Sequence, residues 1–251
     1  MVFFVGAGPG APDLITMRGH DILSRADVII YAGSLVNPKL LEYAKKGCEI
    51  HDSAKLTLEQ VIDIAVPASK AGKTVARLHT GDPCLFGAIK EQMDLLDEHG
   101  VEYEVCPGVS SFCGAAAAIN AEYTLPGVTQ SVILTRMEGR TPVPETEDIA
   151  ALAAHKTSMA IFLSSGMLDS LTGKLMSGGL PGSTPAAIVY KATWPDEKKI
   201  ITTVDKLADA ARENGISKTA LILVGGFLGG PYERSKLYDP GFAHGYRGAD
   251  K

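Results

Sequence analysis

Residues 2–10 read VFFVGAGPG, an apolar run that ends abruptly in glycines. The same pattern recurs in three later segments: ADVIIYAG (26–33), TVARLHT (74–80) and VEYEVCP (101–107). Between these runs, residues 56–72 and 87–100 carry apolar side chains at helical spacing and close at a glycine. Short strands that alternate with helices of this length are typical of βαβ units, so we predict an α/β fold with a mainly parallel N-terminal sheet.

The second half of the chain is richer in strands. Five runs are predicted to be strands: SVILT (131–135), SMAIFLSS (158–165), AAIVY (186–190), KIITTV (199–204) and TALILV (219–224). Helices are predicted at EDIAALAA (147–154), GMLDSLTGKLMS (166–177) and VDKLADAARENG (204–215). The connection KATWPDEK is too short for a helical crossover, so the strands around it should pair antiparallel in a mixed sheet. The predicted domains are an N-terminal α/β domain (1–115), a C-terminal α/β domain (116–235) and an irregular tail (236–251).

Composition bounds the class of protein. The chain has 251 residues, of which 45% are hydrophobic and 21% charged, and a formal net charge of −5, which is a globular composition. Lys and Arg are not clustered, so nucleic-acid binding is not expected. The longest apolar run near the C-terminus, ALILVGGFLGG, is about half of the roughly 20 residues that span a bilayer, so no membrane segment is expected. Four cysteines without a CxxC pair, and an N-terminus unlike a signal peptide, predict a cytoplasmic protein with no metal site.

The first glycine-rich turn, GAGPG (6–10), could bring a ligand close to backbone N–H groups. It matches the dinucleotide motif GxGxxG poorly, because Ala11 stands where the last glycine belongs and Pro9 lacks a donor. The strand VIIY is not followed by an acidic residue for a ribose, and no GKS or GKT follows the turn. NAD, FAD and Walker-type nucleotide sites are therefore disfavoured, while a tight turn required only by sheet packing stays open.

Two further turns follow predicted strands, at the edge of the sheet where α/β folds bind ligands. In HTGDP (79–83), Asp82 either contacts a polar ligand or caps the next helix. In PGVSS (107–111), Ser110 and Ser111 either cap a helix, contact a ligand, or do both. The sequence GVSSF does not match the nucleophile turn GxSxG, so a hydrolase is disfavoured.

The chain resembles the tetrapyrrole (corrin/porphyrin) methylases in five segments: GAGPGAPDLIT (6–16), YAGSLV (31–36), HTGDPCLFG (79–87), CPGVSSFCGAAAA (106–118) and LTRMEGRTPVPE (134–145). The tail ERSKLYDPGFAHGYR is similar too, so the resemblance covers nearly the whole chain. It implies two α/β domains with a cofactor cleft between them. It also implies methyl transfer from S-adenosylmethionine to carbon 11 of precorrin-4 or cobalt-precorrin-4 in cobalamin biosynthesis. A homodimer is the oligomeric state that the resemblance implies.

The resemblance also implies which residues contact the cofactor: Pro9, Gly81, Asp82, Pro83, Leu85, Phe86, Ser110, Ser111, Phe162, Leu163, Ala187, Ala192 and Ala220. The last five would come from the second domain. Related enzymes often have Tyr-Met where this chain has Phe162 and Leu163. Phenylalanine keeps an apolar wall at this position but has no hydroxyl donor.

A tetrapyrrole that carries acetate and propionate groups needs local positive charge at its binding site. Arg136 and Arg140 flank Glu138 after a predicted strand, which makes them a candidate carboxylate clamp. A solvated charged loop is the alternative. Tyr31 and Ser34, at the end of the second predicted strand, would add hydrogen bonds to the substrate.

The chemistry of methyl transfer from a sulfonium requires alignment and exclusion of water rather than an enzyme nucleophile. A base is needed only for a ring N–H proton, and Asp13, Asp82 and water are the candidates. Three other functions stay open. They are a sister methylase that acts on a different ring carbon, a nucleotide-binding regulatory module, and a purely structural α/β scaffold.

Overall fold

The computed structural model describes residues 1–248, which form two compact units. Of the described residues, the first unit contains 1–118 together with 191–198, and the second contains 119–190 and 199–248. The short segment 191–198 is therefore part of the first unit, although it follows three strands of the second unit in the sequence. The domain bounds predicted from the sequence do not place residues 191–198 in the first domain.

The first unit is built on a sheet of five strands: β1 (Val2–Gly6), β2 (Val28–Tyr31), β3 (Glu49–Asp52), β4 (Val75–His79) and β5 (Tyr103–Cys106). Their order in the sheet is β3-β2-β4-β1-β5, and every neighbouring pair is parallel. Because all five strands run the same way, all five carboxyl ends lie at one edge. The predicted parallel sheet is confirmed.

Four α-helices belong to this unit: α1 (Met17–Arg25), α2 (Leu58–Lys70), α3 (Lys90–Glu98) and α4 (Ser111–Ala118). Short 3-10 helices lie at Pro12–Leu14, Gly33–Leu35, Pro38–Tyr43 and Ser53–Lys55. The Thr16 hydroxyl accepts the N–H of Gly19 and caps α1, while Thr57 and Gln60 form a capping box at α2. These caps satisfy N–H groups that have no partner within the helix.

The helices cover both faces of the first sheet. On one face Ile22 of α1 packs with Phe3, and on the other Val61 of α2 and Leu96 of α3 pack with Phe4. The neighbouring strands β1 and β4 are thus followed by helices on opposite faces. Open α/β sheets bind ligands at such a switch point, beyond the carboxyl ends of the strands. The topology therefore directs attention to the loops after β1 and β4.

The second unit contains a mixed sheet of β6 (Val132–Arg136), β7 (Ser158–Phe162), β8 (Pro185–Tyr190), β9 (Lys198–Thr203) and β10 (Ala220–Val224). The order is β6-β7-β10-β8-β9, with β6 and β7 parallel and β10 antiparallel to both of its neighbours. Its helices are α5 (Ile149–Ala153), α6 (Leu168–Ser177) and α7 (Leu207–Glu213). The predicted fold class, two α/β domains with one parallel and one mixed sheet, is confirmed. β8 and β9 are hydrogen-bonded neighbours, and their antiparallel direction stays a prediction.

The chain after β10 is mostly irregular. Its regular features up to residue 248 are 3-10 helices at Gly226–Leu228 and Lys236–Tyr238 and a bridge between His244 and Arg247. The last three residues of the predicted tail lie outside the described residues. Within residues 1–248, none of the helices combines the length and apolar character that a membrane crossing requires.

Candidate functional site

Three glycine turns meet at the carboxyl edge of the first sheet. Gly8 and Gly81 exchange backbone hydrogen bonds, with N···O distances of 3.2 and 2.9 Å. A Cβ atom on Gly6 would lie 2.5 Å from the Cα atom of Gly108 and 2.7 Å from the carbonyl oxygen of Gly81. Only glycine permits this approach of backbone to backbone. The loops after β1, β4 and β5 are therefore locked together, and close packing of the loops accounts for these glycines.

Asp82 joins two of these loops through its carboxylate. One oxygen accepts the N–H of Cys84 and the other accepts the N–H of Gly108, both at 2.8 Å. Burial acts to raise the pKa of this carboxyl group, but the hydrogen bonds from Cys84 and Gly108 outweigh it and hold the pKa below its usual value. Because both oxygens of this ionised carboxylate already accept hydrogen bonds, the geometry favours a role in holding the loops over the predicted role as a proton acceptor. Asp82 also does not cap α3, which begins at Lys90.

The loop after β2 is tied to the same edge. The buried Asn37 side chain donates to the carbonyl oxygen of Gly10 at 2.8 Å, and the Thr80 hydroxyl donates to the carbonyl oxygen of Leu35. The Ser53 hydroxyl, which follows β3, donates to the carbonyl oxygen of Tyr31 at 2.9 Å. Hydrogen bonds thus connect the loops after all five strands. Sequence reasoning missed Asn37, because its side chain also accepts the N–H of Lys39 and reads as an ordinary helix cap.

The returning segment 191–198 supports the glycine-rich loop of the first unit. The Thr193 hydroxyl accepts the N–H of Ala11 at 2.9 Å, and the Trp194 indole donates to the carbonyl oxygen of Pro9 at 3.2 Å. A Cβ on Gly10 would overlap the Trp194 ring. Ala192 is buried in this segment, so the expectation that it belongs to the second domain is wrong. No local pattern in the sequence indicated these contacts.

The predicted cofactor residues of the first unit lie in or beside these joined loops. Half of them are buried, including Pro9, Gly81 and Ser110. The loop 83–89 differs, because Phe86 is 46% exposed and has a φ of +56°, a left-handed conformation that is rare outside glycine. The other predicted members of this set are Asp82, Pro83, the half-buried Leu85, and Ser111, which is the first residue of α4.

Three candidate residues of the first unit, Tyr31, Ser34 and Asp13, lie outside these joined loops. Tyr31 ends β2 and is half-buried, and burial, with the nearby Asp52 carboxylate, raises the pKa of its hydroxyl. Ser34 is exposed in the 3-10 helix that follows. Asp13 is exposed in the 3-10 helix after the glycine-rich loop. Among residues 1–248, no three His, Cys, Asp or Glu side chains lie close enough together to hold a metal ion.

In the second unit, several predicted residues share one edge of the mixed sheet. Arg136 ends β6 and pairs in register with Phe162 at the end of β7, and Ala220 begins the antiparallel β10. Leu163 follows with 67% of its surface exposed and a φ of +52°. Ala187 is different, because it lies in the middle of β8 and has 0% exposure. Its predicted backbone contact with the cofactor stays a prediction.

The Arg136 side chain forms hydrogen bonds within its own loop. Its guanidinium donates to the carbonyl oxygens of Thr141 (3.1 Å) and Pro142 (2.7 Å). Glu138 and Arg140 lie on this loop and are exposed. The structure therefore gives Arg136 the role of shaping the loop, and of the two arginines in the predicted clamp Arg140 is the one on the exposed surface.

His79, at the end of β4, is a buried neutral imidazole. It is 4% exposed, its ring centroid lies 6.0 Å from that of Phe4, and its Nε2 has no hydrogen-bond partner among the described residues. Burial, and then the positive charge of Arg77, lowers the pKa of His79 from 6.5 to about 3. At neutral pH it therefore serves packing rather than proton transfer.

This buried imidazole predicts loss of stability in acid. Below pH 6.5 the unfolded chain binds a proton at His79 that the folded chain does not, so the free energy of unfolding falls by up to about 1.4 kcal/mol per pH unit until about pH 3. Urea unfolding at pH 7.5, 6 and 5 should show this slope, and His79→Phe should flatten it. The control His155→Gln removes an exposed histidine and should leave the slope unchanged. An equal slope in His79→Phe would contradict the assignment.

Comparison with known proteins agrees with this architecture. Residues 1–208 match the family model of the tetrapyrrole (corrin/porphyrin) methylases. A cobalt-precorrin-4 C(11)-methyltransferase of Methanocaldococcus jannaschii is 53% identical over 100% of this chain and 97% of that protein. A precorrin-4 C(11)-methyltransferase of a Sinorhizobium species is 43% identical over 98% of both chains. The X-ray structure of a cobalt-precorrin-4 methyltransferase superimposes with a TM-score of 0.89 at 49% identity, covering 91% of this chain and 96% of that one. The chain belongs to the tetrapyrrole methylase family.

Proposed function

We propose that this chain is an S-adenosylmethionine-dependent methyltransferase that methylates carbon 11 of cobalt-precorrin-4 or precorrin-4 in cobalamin biosynthesis. Full-length relatives that carry these names support the substrate. The observation that carries the proposal is the joining of all five strand-end loops at the β1/β4 switch point, where α/β folds bind ligands.

The donor set in these loops fits the cofactor better than a nucleotide phosphate. Residues 6–11, 80–89 and 107–111 contain no Lys or Arg, and their one carboxylate, Asp82, is held ionised. A diphosphate would therefore meet negative charge with no cationic side chain in these segments to offset it. S-adenosylmethionine instead carries a cationic sulfonium together with an amino acid and an adenine, which suit backbone polar groups and an exposed aromatic face such as Phe86.

The residues proposed to hold the cofactor are Pro9, Gly81, Asp82, Pro83, Leu85, Phe86, Ser110, Ser111 and Ala192 of the first unit, and Phe162, Leu163, Ala187 and Ala220 of the second. When bound, the cofactor supplies an electrophilic methyl group on a sulfonium. The chain supplies alignment and exclusion of water, which can provide much of the rate of such a displacement. Asp82 acts by holding the loops after β4 and β5 rather than by moving a proton. Asp13 and water remain the proposed acceptors for a ring proton.

Tyr31, Ser34, Arg136, Glu138 and Arg140 are proposed to lie at the tetrapyrrole. Arg140 is proposed to contact a substrate carboxylate, since it is exposed and carries a permanent charge. Arg136 would act indirectly, through the backbone carbonyls that it binds.

Removal of the Arg140 guanidinium is expected to weaken substrate binding selectively. One lost charge-assisted hydrogen bond corresponds to about a 10- to 100-fold higher KM for the tetrapyrrole in Arg140→Ala, with the KM for S-adenosylmethionine unchanged. Steady-state kinetics with each substrate varied in turn measure both constants. Arg212→Ala is the matched control, because Arg212 is an exposed arginine of the same unit that pairs with Asp169 and Asp209. Equal increases in both KM values would contradict the role of Arg140.

The activity itself is tested by mass spectrometry. The chain is incubated with S-adenosylmethionine and either precorrin-4 or cobalt-precorrin-4, and the tetrapyrrole should gain the mass of one CH₂ unit. Parallel reactions with earlier and later intermediates separate this function from that of a sister methylase, and turnover of another intermediate alone would overturn the assignment. Calorimetry with S-adenosylhomocysteine, NAD and ATP tests the regulatory alternative. Binding of a nucleotide but not of S-adenosylhomocysteine would favour that alternative.

We also propose a cytoplasmic homodimer. Four unpaired cysteines support a reducing compartment, and the family resemblance supports the dimer. Light scattering coupled to size-exclusion chromatography measures the oligomeric state, and a monomer at micromolar concentration would contradict the proposal.

A further inference from the structure

Arg77 on β4 is a buried cation with no acidic partner in the described part of the chain. It is 8% exposed, and burial lowers its pKa from 12.5 to about 10, so the guanidinium stays charged at neutral pH. Its Nε donates to the side-chain oxygen of Gln92 at 3.0 Å and its Nη1 to the carbonyl oxygen of Ile30 at 3.1 Å. No ion pair among residues 1–248 includes it. A buried charge paired only with neutral groups is costly, so its retention calls for a reason.

The Gln92 side chain on α3 forms hydrogen bonds both with Arg77 and with the backbone of the loop 83–89. A guanidinium can only donate, so the amide oxygen of Gln92 must face Arg77 and its nitrogen must face away. That nitrogen donates to the carbonyl oxygen of Ala88 at 2.9 Å. Gln92 is itself 6% exposed. A chain of two hydrogen bonds, one buried and one partly buried, therefore links the middle of β4 to the loop 83–89.

The loop 83–89 has an unusual backbone that needs such support. Phe86 and Ala88 have φ values of +56° and +49°, a conformation that L-residues with side chains rarely adopt. A Cβ on Gly87, between them, would overlap the carbonyl oxygen of Pro83. Backbone of this kind persists only where surrounding contacts impose it, and it concentrates at functional sites. Here it leaves Phe86 46% exposed, four residues after Asp82, whose carboxylate joins the loops after β4 and β5.

We propose that Arg77 and Gln92 are positioning residues that hold the loop 83–89 in its left-handed conformation and thereby set how tightly the chain binds the adenosyl cofactor. This inference rests on the proposed function, because the ligand is the cofactor assigned there. Neither side chain touches the ligand. Both act through the Ala88 carbonyl, which fixes the backbone that presents Leu85 and Phe86.

Gln92→Glu tests the proposal without breaking the contact to Arg77. The new carboxylate still accepts from Arg77, which favours its ionised form, but it has no donor for Ala88. The expected result is an affinity for S-adenosylhomocysteine about tenfold lower in calorimetry, with a melting temperature equal to or above that of the unchanged chain. Amides of residues 84–89 should also exchange hydrogen faster in the ligand-free protein.

Gln92→Met is the matched comparison, because it removes both hydrogen bonds and keeps the side-chain length. We expect it to lower the melting temperature as well as the affinity. Unchanged affinity and unchanged loop exchange in Gln92→Glu would overturn the proposal and leave the pair with a structural role alone. If the unchanged chain does not bind S-adenosylhomocysteine, the proposed function fails. Loop exchange in Gln92→Glu then decides the positioning role by itself, since faster exchange supports it and equal exchange overturns it.

Discussion

Replacement of Gly108 by alanine is expected to destabilise the chain by about 3 kcal/mol or more, at the upper end of what overpacking costs. The new Cβ would overlap the carbonyl oxygen of Gly81 and lie 2.7 Å from the Cα atom of Gly6. Both neighbours are backbone atoms, because Gly6 ends β1 and Gly81 lies in the loop that exchanges backbone hydrogen bonds with Gly8, so neither can move without disturbing those contacts. The loops after three strands should separate together.

Urea unfolding of Gly108→Ala beside the unchanged chain measures this cost, and insolubility of the variant would be an extreme form of the same result. Gly173→Ala is the control. Gly173 lies inside α6, and beyond the adjoining backbone of that helix a Cβ there would meet no described atom within 4 Å. Alanine should stabilise that helix by about 0.5–1 kcal/mol. If Gly108→Ala unfolded at the same urea concentration as the unchanged chain, the close approach of the three glycine turns would be refuted.

Asp82→Ala is expected to weaken cofactor binding by about 10- to 100-fold and to lower the free energy of unfolding by about 2 kcal/mol, because two hydrogen bonds to a charged group are lost. The backbone N–H groups of Cys84 and Gly108 lose their acceptor, and the loops after β4 and β5 lose their link. Asp82→Asn should rescue only part of the loss, since an amide oxygen replaces one acceptor while the amide nitrogen faces the other N–H group.

The same carboxylate gives the stability a pH dependence. Its folded pKa lies below the ordinary value of 3.8, so its contribution is complete above about pH 4 and is lost as the pH falls through the lowered folded pKa. Calorimetry with S-adenosylhomocysteine and urea unfolding at pH 7.5 and pH 3 measure both effects. Asp63→Asn removes an exposed carboxylate of α2 and should behave like the unchanged chain. Unchanged affinity in Asp82→Ala would remove Asp82 from the cofactor site.

The parallel sheet was predictable from the sequence because its central strands are buried on both faces. The runs VFFV and VIIY are continuous and apolar or aromatic, the run around Ala76 is apolar except for Arg77 and His79, and each ends at a glycine or polar turn. β3 escaped prediction for the opposite reason. It is an edge strand, three of its four residues are exposed, and the sequence EIHD shows no apolar run. The helix α1 was missed as well, since it buries only Gly19, Ile22 and Leu23.

The site was predictable as a set of turns but not as a network. Parallel strands place their carboxyl ends at one edge, so the glycine turns could be grouped from sequence alone. The bonds that join them run between residues 26 to 185 positions apart, from Asp82 to Gly108 and from Trp194 to Pro9. Local periodicity carries no signal for such contacts. For that reason the sequence suggested Asp82 as a base and Arg136 as a clamp, where the structure uses both to hold backbone.

The return of residues 191–198 has a consequence for how the first unit can be inherited. A gene cut after residue 118 would encode the five parallel strands but omit Thr193 and Trp194, so Ala11 and Pro9 would lose their partners. The first unit is therefore not encoded by one continuous gene segment that a single recombination event could transfer. We therefore expect substitutions in the glycine-rich loop to be accompanied by substitutions in residues 191–198, although the two segments lie far apart in the sequence.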